Sequence, residues 1–185
     1  MKRGVFAAMV ATIALTAPSH EAHAQRRIVP FAGAGFAKGM GDLSDDTGNG
    51  WLVFGGFNVP VGSSPALTIG LTGSYAHVPY DGAFSEATNI SALLAEVGYT
   101  FMAASPGRIK PYIRAGGGAT IRKYHPGSTG FREVSEGNIA FSGGAGLQYL
   151  LTSVAVFAGA HIVTDADAGY LAIHGGIAFP GSRAR

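Results

Sequence analysis

The sequence predicts an all-β fold, an eight-stranded antiparallel up-and-down barrel, on three observations. Eight stretches alternate large apolar residues with small or polar ones, the period-two pattern of strands with two unlike faces. The connections between them run long, short, long, short to the end of the chain. The small-polar face carries Gly, Ser and Thr where a soluble sheet would carry Lys, Glu and Asp.

Ahead of the first strand stands a secretory signal. Lys2 and Arg3 form a charged start, residues 4–17 are almost uniformly apolar, and Ala22-His23-Ala24 offers small residues at the two positions a signal peptidase reads. The apolar run is short for a bilayer span and polar residues follow at once, so residues 1–24 are expected to be removed, leaving Gln25 as the mature start. The 185-residue chain contains no Cys, which excludes lipoprotein acylation, disulfides and thiolate metal sites together. Residues 25–185 then amount to one domain, with the last six residues a periplasmic tail.

Taken in order, the strands have these faces. The first, near residues 29–37, is too rich in Gly and Ala for its phase to be assigned. The second turns Trp51, Val53, Phe57 and Val59 outward and Asn58 inward, and the third sets Leu67, Ile69, Leu71 and Tyr75 against Thr68, Gly70, Thr72 and Ser74. In the fourth, Leu93, Ala95, Val97, Tyr99 and Phe101 oppose Glu96, Gly98 and Thr100. The fifth sets Ile113, Ala115, Ala119 and Ile121 against Arg114, Gly116, Gly118, Thr120 and Arg122. In the sixth, Ile139, Phe141, Ala145, Leu147 and Tyr149 oppose Ser142, Gly144, Gly146 and Gln148. The seventh sets Val154, Val156, Ala158 and Ile162 against Gly159 and His161, and the eighth Leu171, Ile173, Ile177 and Phe179 against Tyr170, His174 and Gly176.

Composition assigns the two faces. The chain is 47% hydrophobic and only 13% charged, with 29 Gly, and after Gln25 no long uninterrupted apolar helix pattern occurs. Small residues suit the crowded interior of a narrow barrel and bulky apolar ones suit lipid. A strand crossing hydrocarbon must also pair every backbone group, so the sheet is expected to close on itself as a transmembrane barrel.

The connections follow the same plan. Residues 38–50, 77–89 and 124–137 read as long loops, while Gly62-Ser63-Ser64-Pro65, Ala104-Ser105-Pro106-Gly107 and Thr152-Ser153 read as tight turns; the last connection, 165–168, is modest. Long loops on one side and turns on the other put both chain ends in the periplasm. Among the acids after the signal, Glu96 alone is expected within a strand, whereas Arg26, Arg27, Arg108, Lys110, Arg183 and Arg185 fall on the turn side. Trp51, Tyr75 and Phe141 near one rim, and Phe57, Tyr99, Phe101, Tyr149 and Phe179 near the other, match two interfacial girdles.

With its eight-segment plan, the strand Lys110-Pro111-Tyr112-Ile113-Arg114-Ala115-Gly116-Gly117-Gly118 and the closing Gly175-Gly176-Ile177-Ala178-Phe179, the mature region resembles the small outer-membrane barrels of the OmpA transmembrane-domain and OmpX/Ail type. It departs from that pattern in one respect: such barrels often end on the aromatic residue, whereas six residues follow Phe179 here. The resemblance implies a porin-like envelope protein of a Gram-negative cell, inserted by the barrel-assembly machinery and surrounded by outer-membrane lipid and lipopolysaccharide.

Inside the barrel, a hairpin centred between Ser105 and Pro106 places Glu96 almost opposite Arg114, which predicts a lumen salt bridge. No catalytic constellation is expected. His161 and His174 point inward on neighbouring strands, with Asp165 and Asp167 in the loop joining them and Ser74 and Ser142 elsewhere in the lumen, but nothing reproduces the His-x-Ser pattern of lipid A deacylase barrels. Two His without a nearby in-phase carboxylate make only a weak metal site, and Asp42, Asp45 and Asp46 lack the ligand series of a Ca²⁺ loop. Neither a cofactor nor nucleic acid is expected, the basic residues being scattered. The expected role is structural or interactive, as a monomer: envelope integrity, or recognition and adhesion through loops 38–50, 77–89 and 124–137. The alternatives are a lipid A-modifying enzyme, which would need His161 or His174, and a barrel holding a small apolar ligand, which would turn Leu67, Ile69 and Leu71 inward.

Overall fold

The computed structural model describes residues 28–43, 47–80, 87–125, 134–165 and 167–180. The expected signal segment, Arg26, Arg27, Arg183, Arg185, Asp45 and Asp46 lie outside the described residues. Eight strands follow one another: β1 (Val29–Gly41), β2 (Asn49–Pro60), β3 (Leu67–Pro79), β4 (Ala87–Thr100), β5 (Ile109–His125), β6 (Val134–Leu150), β7 (Ala155–Thr164) and β8 (Ala168–Ala178). Each pairs antiparallel with the next, and β1 pairs with β8 from Phe31↔Ala178 to Gly41↔Ala168, closing the barrel. Closure leaves no edge, so every strand finds backbone partners on both sides.

Alternation assigns the faces. Ile69, Val97, Ile113, Phe141 and Ile173 are all exposed on the outside, while Thr72, Glu96, Thr120, Ser142, His161 and His174 are buried within. On β1, Phe31, Gly33, Gly35 and Ala37 face in and Ala32, Ala34, Phe36 and Lys38 face out. Trp51 meets Tyr75 at one rim (ring centroids 5.5 Å apart), and Tyr99 meets Phe101 at the other (5.0 Å).

The strands run further than the polar stretches suggest. The connections narrow to 42–48, 80–86 and 126–133 at what we call the loop end, and of the three at the opposite turn end, 61–66 and 101–108 match them in length while 151–154 is shorter. The expected contrast of long and short connections therefore holds for 126–133 against 151–154 and is lost in the first two pairs. Strand pairing continues as long as cross-strand partners suit one another. On the extended arms of β5 and β6, Arg122 faces Glu136 in register, with a 3.7 Å ion pair between them. Glu136 thus joins Glu96 as an acid within a strand, a second correction.

The interior is layered. Toward the loop end Leu52, Ala76, Val78, Ile90, Leu94, Ala140, Val163 and Tyr170 pack as one buried cluster. Below it lies a polar layer around Glu96, then an aromatic layer of Phe31, Phe54, Phe157 and Tyr112. The lumen glycines make room for these rings: a Cβ on Gly33 would strike the Phe54 ring, one on Gly176 the Phe157 ring, and one on Gly146 or Gly159 the Tyr112 hydroxyl. Leu94, fully buried, anchors the apolar layer; Leu94→Ala is expected to destabilise the barrel by about 2–5 kcal/mol, read from urea unfolding in lipid vesicles.

Candidate functional site

The polar layer is built on β3, β4, β5, β6 and β7. Register places Glu96 directly across from Gly116 and Gly98 across from Arg114, so Arg114 sits on the diagonal, about one pair away from the expected alignment. Its length bridges the gap: Arg114 Nη1 lies 3.4 Å from Glu96 Oε2. The same oxygen accepts from Thr72 Oγ1 at 2.5 Å, while Oε1 accepts from Ser142 Oγ at 3.0 Å and meets His161 Nε2 at 3.1 Å. An ionised carboxylate only accepts, so His161 presents its Nε2–H to it. Arg114 also lies over the Phe31 ring, 5.2 Å from its centroid. Glu96 is thus a carboxylate with four side-chain partners drawn from four other strands.

This arrangement engages Ser142 and His161, two of the groups that nucleophilic chemistry could use. Ser142 and His161 both spend their hydrogens on Glu96 Oε1, so the serine hydroxyl is directed at the carboxylate and not at a base. Ser74 Oγ is 2.8 Å from the Tyr170 hydroxyl. His174 packs edge-on against Phe54 and His161, and its buried Nδ1 has no partner among the described residues. Among the described residues no group of three His, Cys, Asp or Glu could hold a metal ion.

A second polar knot, not foreseen from the sequence, closes the loop end. Asp165, just past β7, accepts from the backbone N–H of Asp167 and Ala168 (3.1 and 3.0 Å), from Thr120 Oγ1 (3.2 Å) and from Asn138 Nδ2 (3.3 Å), with Arg122 Nε at 3.3 Å. Burial alone would raise its pKa, but those two backbone donors, Arg122 and Asn138 together hold the carboxyl below its ordinary value. Asp167 takes part only through its backbone N–H.

At the turn end the lumen opens into a cavity of about 460 Å³. Phe31, Tyr112, Phe157 and Arg114 line its inner part; Asn58, Thr68, Thr100, Lys110 and Gln148 line the wall.

Among solved structures, Neisserial surface protein A superposes with a TM-score of 0.64 at 16% identity, over 83% of this chain and 96% of that one. The chain has the fold of the small eight-stranded outer-membrane barrels. The N-terminal β-barrel domain of OprF from Pseudomonas aeruginosa gives 0.54 at 18% identity, covering 83% and 97%. Ail, the attachment invasion locus protein of Yersinia pestis, gives 0.50 at 14%, covering 82% and 95%. No protein-family model and no curated protein sequence matches the chain.

Two outcomes follow from the polar layers. Glu96→Gln leaves Arg114 without its counter-charge in a poorly hydrated interior and is expected to cost on the order of 3–5 kcal/mol, with the double variant Glu96→Gln/Arg114→Met recovering part of it; urea titrations of the refolded barrels measure both. Asp165 is ionised more readily in the folded barrel than in the unfolded chain, so its contribution is complete above the ordinary Asp value of 3.8 and is lost as pH falls through the lower folded value. Asp165→Asn should cost about 2 kcal/mol at neutral pH and flatten the loss of stability seen on acidification to about pH 3.

Proposed function

We propose that this chain is a monomeric barrel of the Gram-negative outer membrane, with residues 1–24 removed as a signal peptide and both ends in the periplasm. Its role is structural or interactive, through envelope integrity or recognition by the loops that fall within 38–50, 77–89 and 124–137. One observation carries the reading: the outside is an apolar belt while the lumen is filled, by packed Leu52, Val78, Ile90 and Leu94 toward the loops and by the Glu96 network below them. A filled lumen offers no conduit, and the belt suits hydrocarbon, so the surfaces left to meet other molecules are the loops. Glu96 and Arg114 act in this reading as the plug.

The exposed positions of Leu67 and Ile69 favour lipid contact over a ligand held against those side chains. Membrane neighbours would be outer-membrane lipid and lipopolysaccharide, and insertion would use the barrel-assembly machinery.

Fractionation combined with heat-modifiable gel mobility tests the location. The folded chain should sediment with outer membranes and migrate faster unboiled than boiled; recovery as a soluble periplasmic species would overturn the reading. Ile69→Arg should lower stability in vesicles by about 2–4 kcal/mol. A deletion strain is expected to have unaltered lipid A and either weakened detergent resistance or reduced surface-ligand binding; altered lipid A acylation would point instead to an enzyme.

A further inference from the structure

The turn-end cavity contains a cation with no acid partner among the described residues. Lys110 faces inward on β5, is only 2% exposed, and its ammonium donates to the backbone oxygens of Met102 (2.5 Å) and Ser105 (2.6 Å). An ammonium carries three donors, so one remains. No carboxylate among the described residues pairs with it, and no carboxylate lines the cavity. Arg114, the other cation on the cavity wall, already faces Glu96. The two carbonyls answer two of its hydrogens, and an anion entering the cavity would answer both the third and the charge.

The rest of the cavity says what kind of anion fits. Its volume of about 460 Å³ lies in the range of small-molecule sites, and such sites combine an apolar wall with a few placed polar groups. Here Phe31, Phe157 and Tyr112 form the inner wall, with ring centroids 6.4 and 6.5 Å apart in edge-to-face contact. Lys110 lies four residues along β5 from Arg114, about 13 Å nearer the mouth. An occupant would therefore place its apolar part deep and its charge outward, toward water.

We infer that this cavity is a binding site for a small amphipathic anion, an aryl or short acyl carboxylate, whose carboxylate meets Lys110 and whose apolar body lies on Phe31, Tyr112 and Phe157. The site goes beyond the proposed role of the loops and does not depend on it. Nothing in the network above it has to move for the ligand to enter, because the cavity opens directly at the turn end.

The test uses the isotope-labelled full-length barrel in phosphatidylcholine nanodiscs, titrated with sodium 2-naphthoate and with neutral 2-naphthalenemethanol while amide resonances are followed. The expected result is saturable shifts at lining residues such as Gly98, Thr100 and Gln148 with naphthoate. The neutral alcohol and the Lys110→Met variant should each bind at least about tenfold more weakly. Because Lys110→Met removes ties to the 101–108 turn, Thr100→Trp supplies a second variant, which fills the cavity without touching a charge and should abolish the shifts. Absence of lining shifts up to about 10 mM naphthoate, equal binding of the alcohol, or shifts that survive Thr100→Trp would each overturn the site. None of these results would alter where the barrel fractionates.

Discussion

Closure of the sheet is the constraint from which the rest of this structure follows. The β1–β8 seam, running from Phe31↔Ala178 to Gly41↔Ala168, converts an open eight-stranded ribbon into a cylinder with no unpaired edge. A cylinder of eight strands has an interior just wide enough for side chains. Each inward side chain therefore competes for space with those projecting from the opposite wall. Gly33, Gly146, Gly159 and Gly176 are the counterparts of Phe54, Tyr112 and Phe157: every large ring faces a residue with no side chain. These four glycines are thus a packing requirement of the lumen, and the outward alternation of large apolar residues is its complement.

Within that narrow interior charge has to be settled locally. A single carboxylate, Glu96, receives Thr72, Ser142, His161 and Arg114 from β3, β6, β7 and β5, and so cross-links five of the eight strands through one group. Breaking such a centre costs far more than any of its single contacts, because the remaining partners lose their shared acceptor. Asp165 does comparable work at the loop end, where it ties the β7–β8 connection to β5 and β6. The two knots bracket the apolar layer formed by Leu52, Val78, Ile90 and Leu94. This order of polar, apolar, polar is what makes the upper lumen a stopper.

Much of this was legible in the sequence because period-two alternation survives wherever the two faces differ in size or polarity. The faces of β3, β4, β5 and β6 could be read from Leu67, Leu93, Ile113 and Ile139 and their neighbours. β1 could not, since its two large residues, Phe31 and Phe36, fall on opposite faces and give conflicting parity, and everything between them is small. The apolar inner layer was also hidden: Leu52 and Leu94 sit beside Trp51 and Leu93, so both faces look apolar there and the alternation carries no information. Strand ends were overestimated as loop because Arg122, Lys123 and Glu136 are polar, although their cross-strand complementarity lets the ladder continue. Asp165 was visible only as a loop acid; its role depends on a backbone turn that brings the Asp167 and Ala168 N–H groups onto one oxygen.

The two ends of the lumen differ in a way that bears on function. Above Glu96 the interior is close-packed, and a water molecule or ion entering from the loop end would have to part fully buried Ala76, Val78 and Leu94. Below it the aromatic layer ends on open space, and the first charge met from the turn end is Lys110, held by two carbonyls and no acid. Close packing excludes ligands as effectively as it excludes water, whereas a preformed cavity lined by a cation leaves room and a donor for an anionic occupant. A larger residue at Thr100 would fill that space. Keeping it open and charged is the arrangement expected of a site.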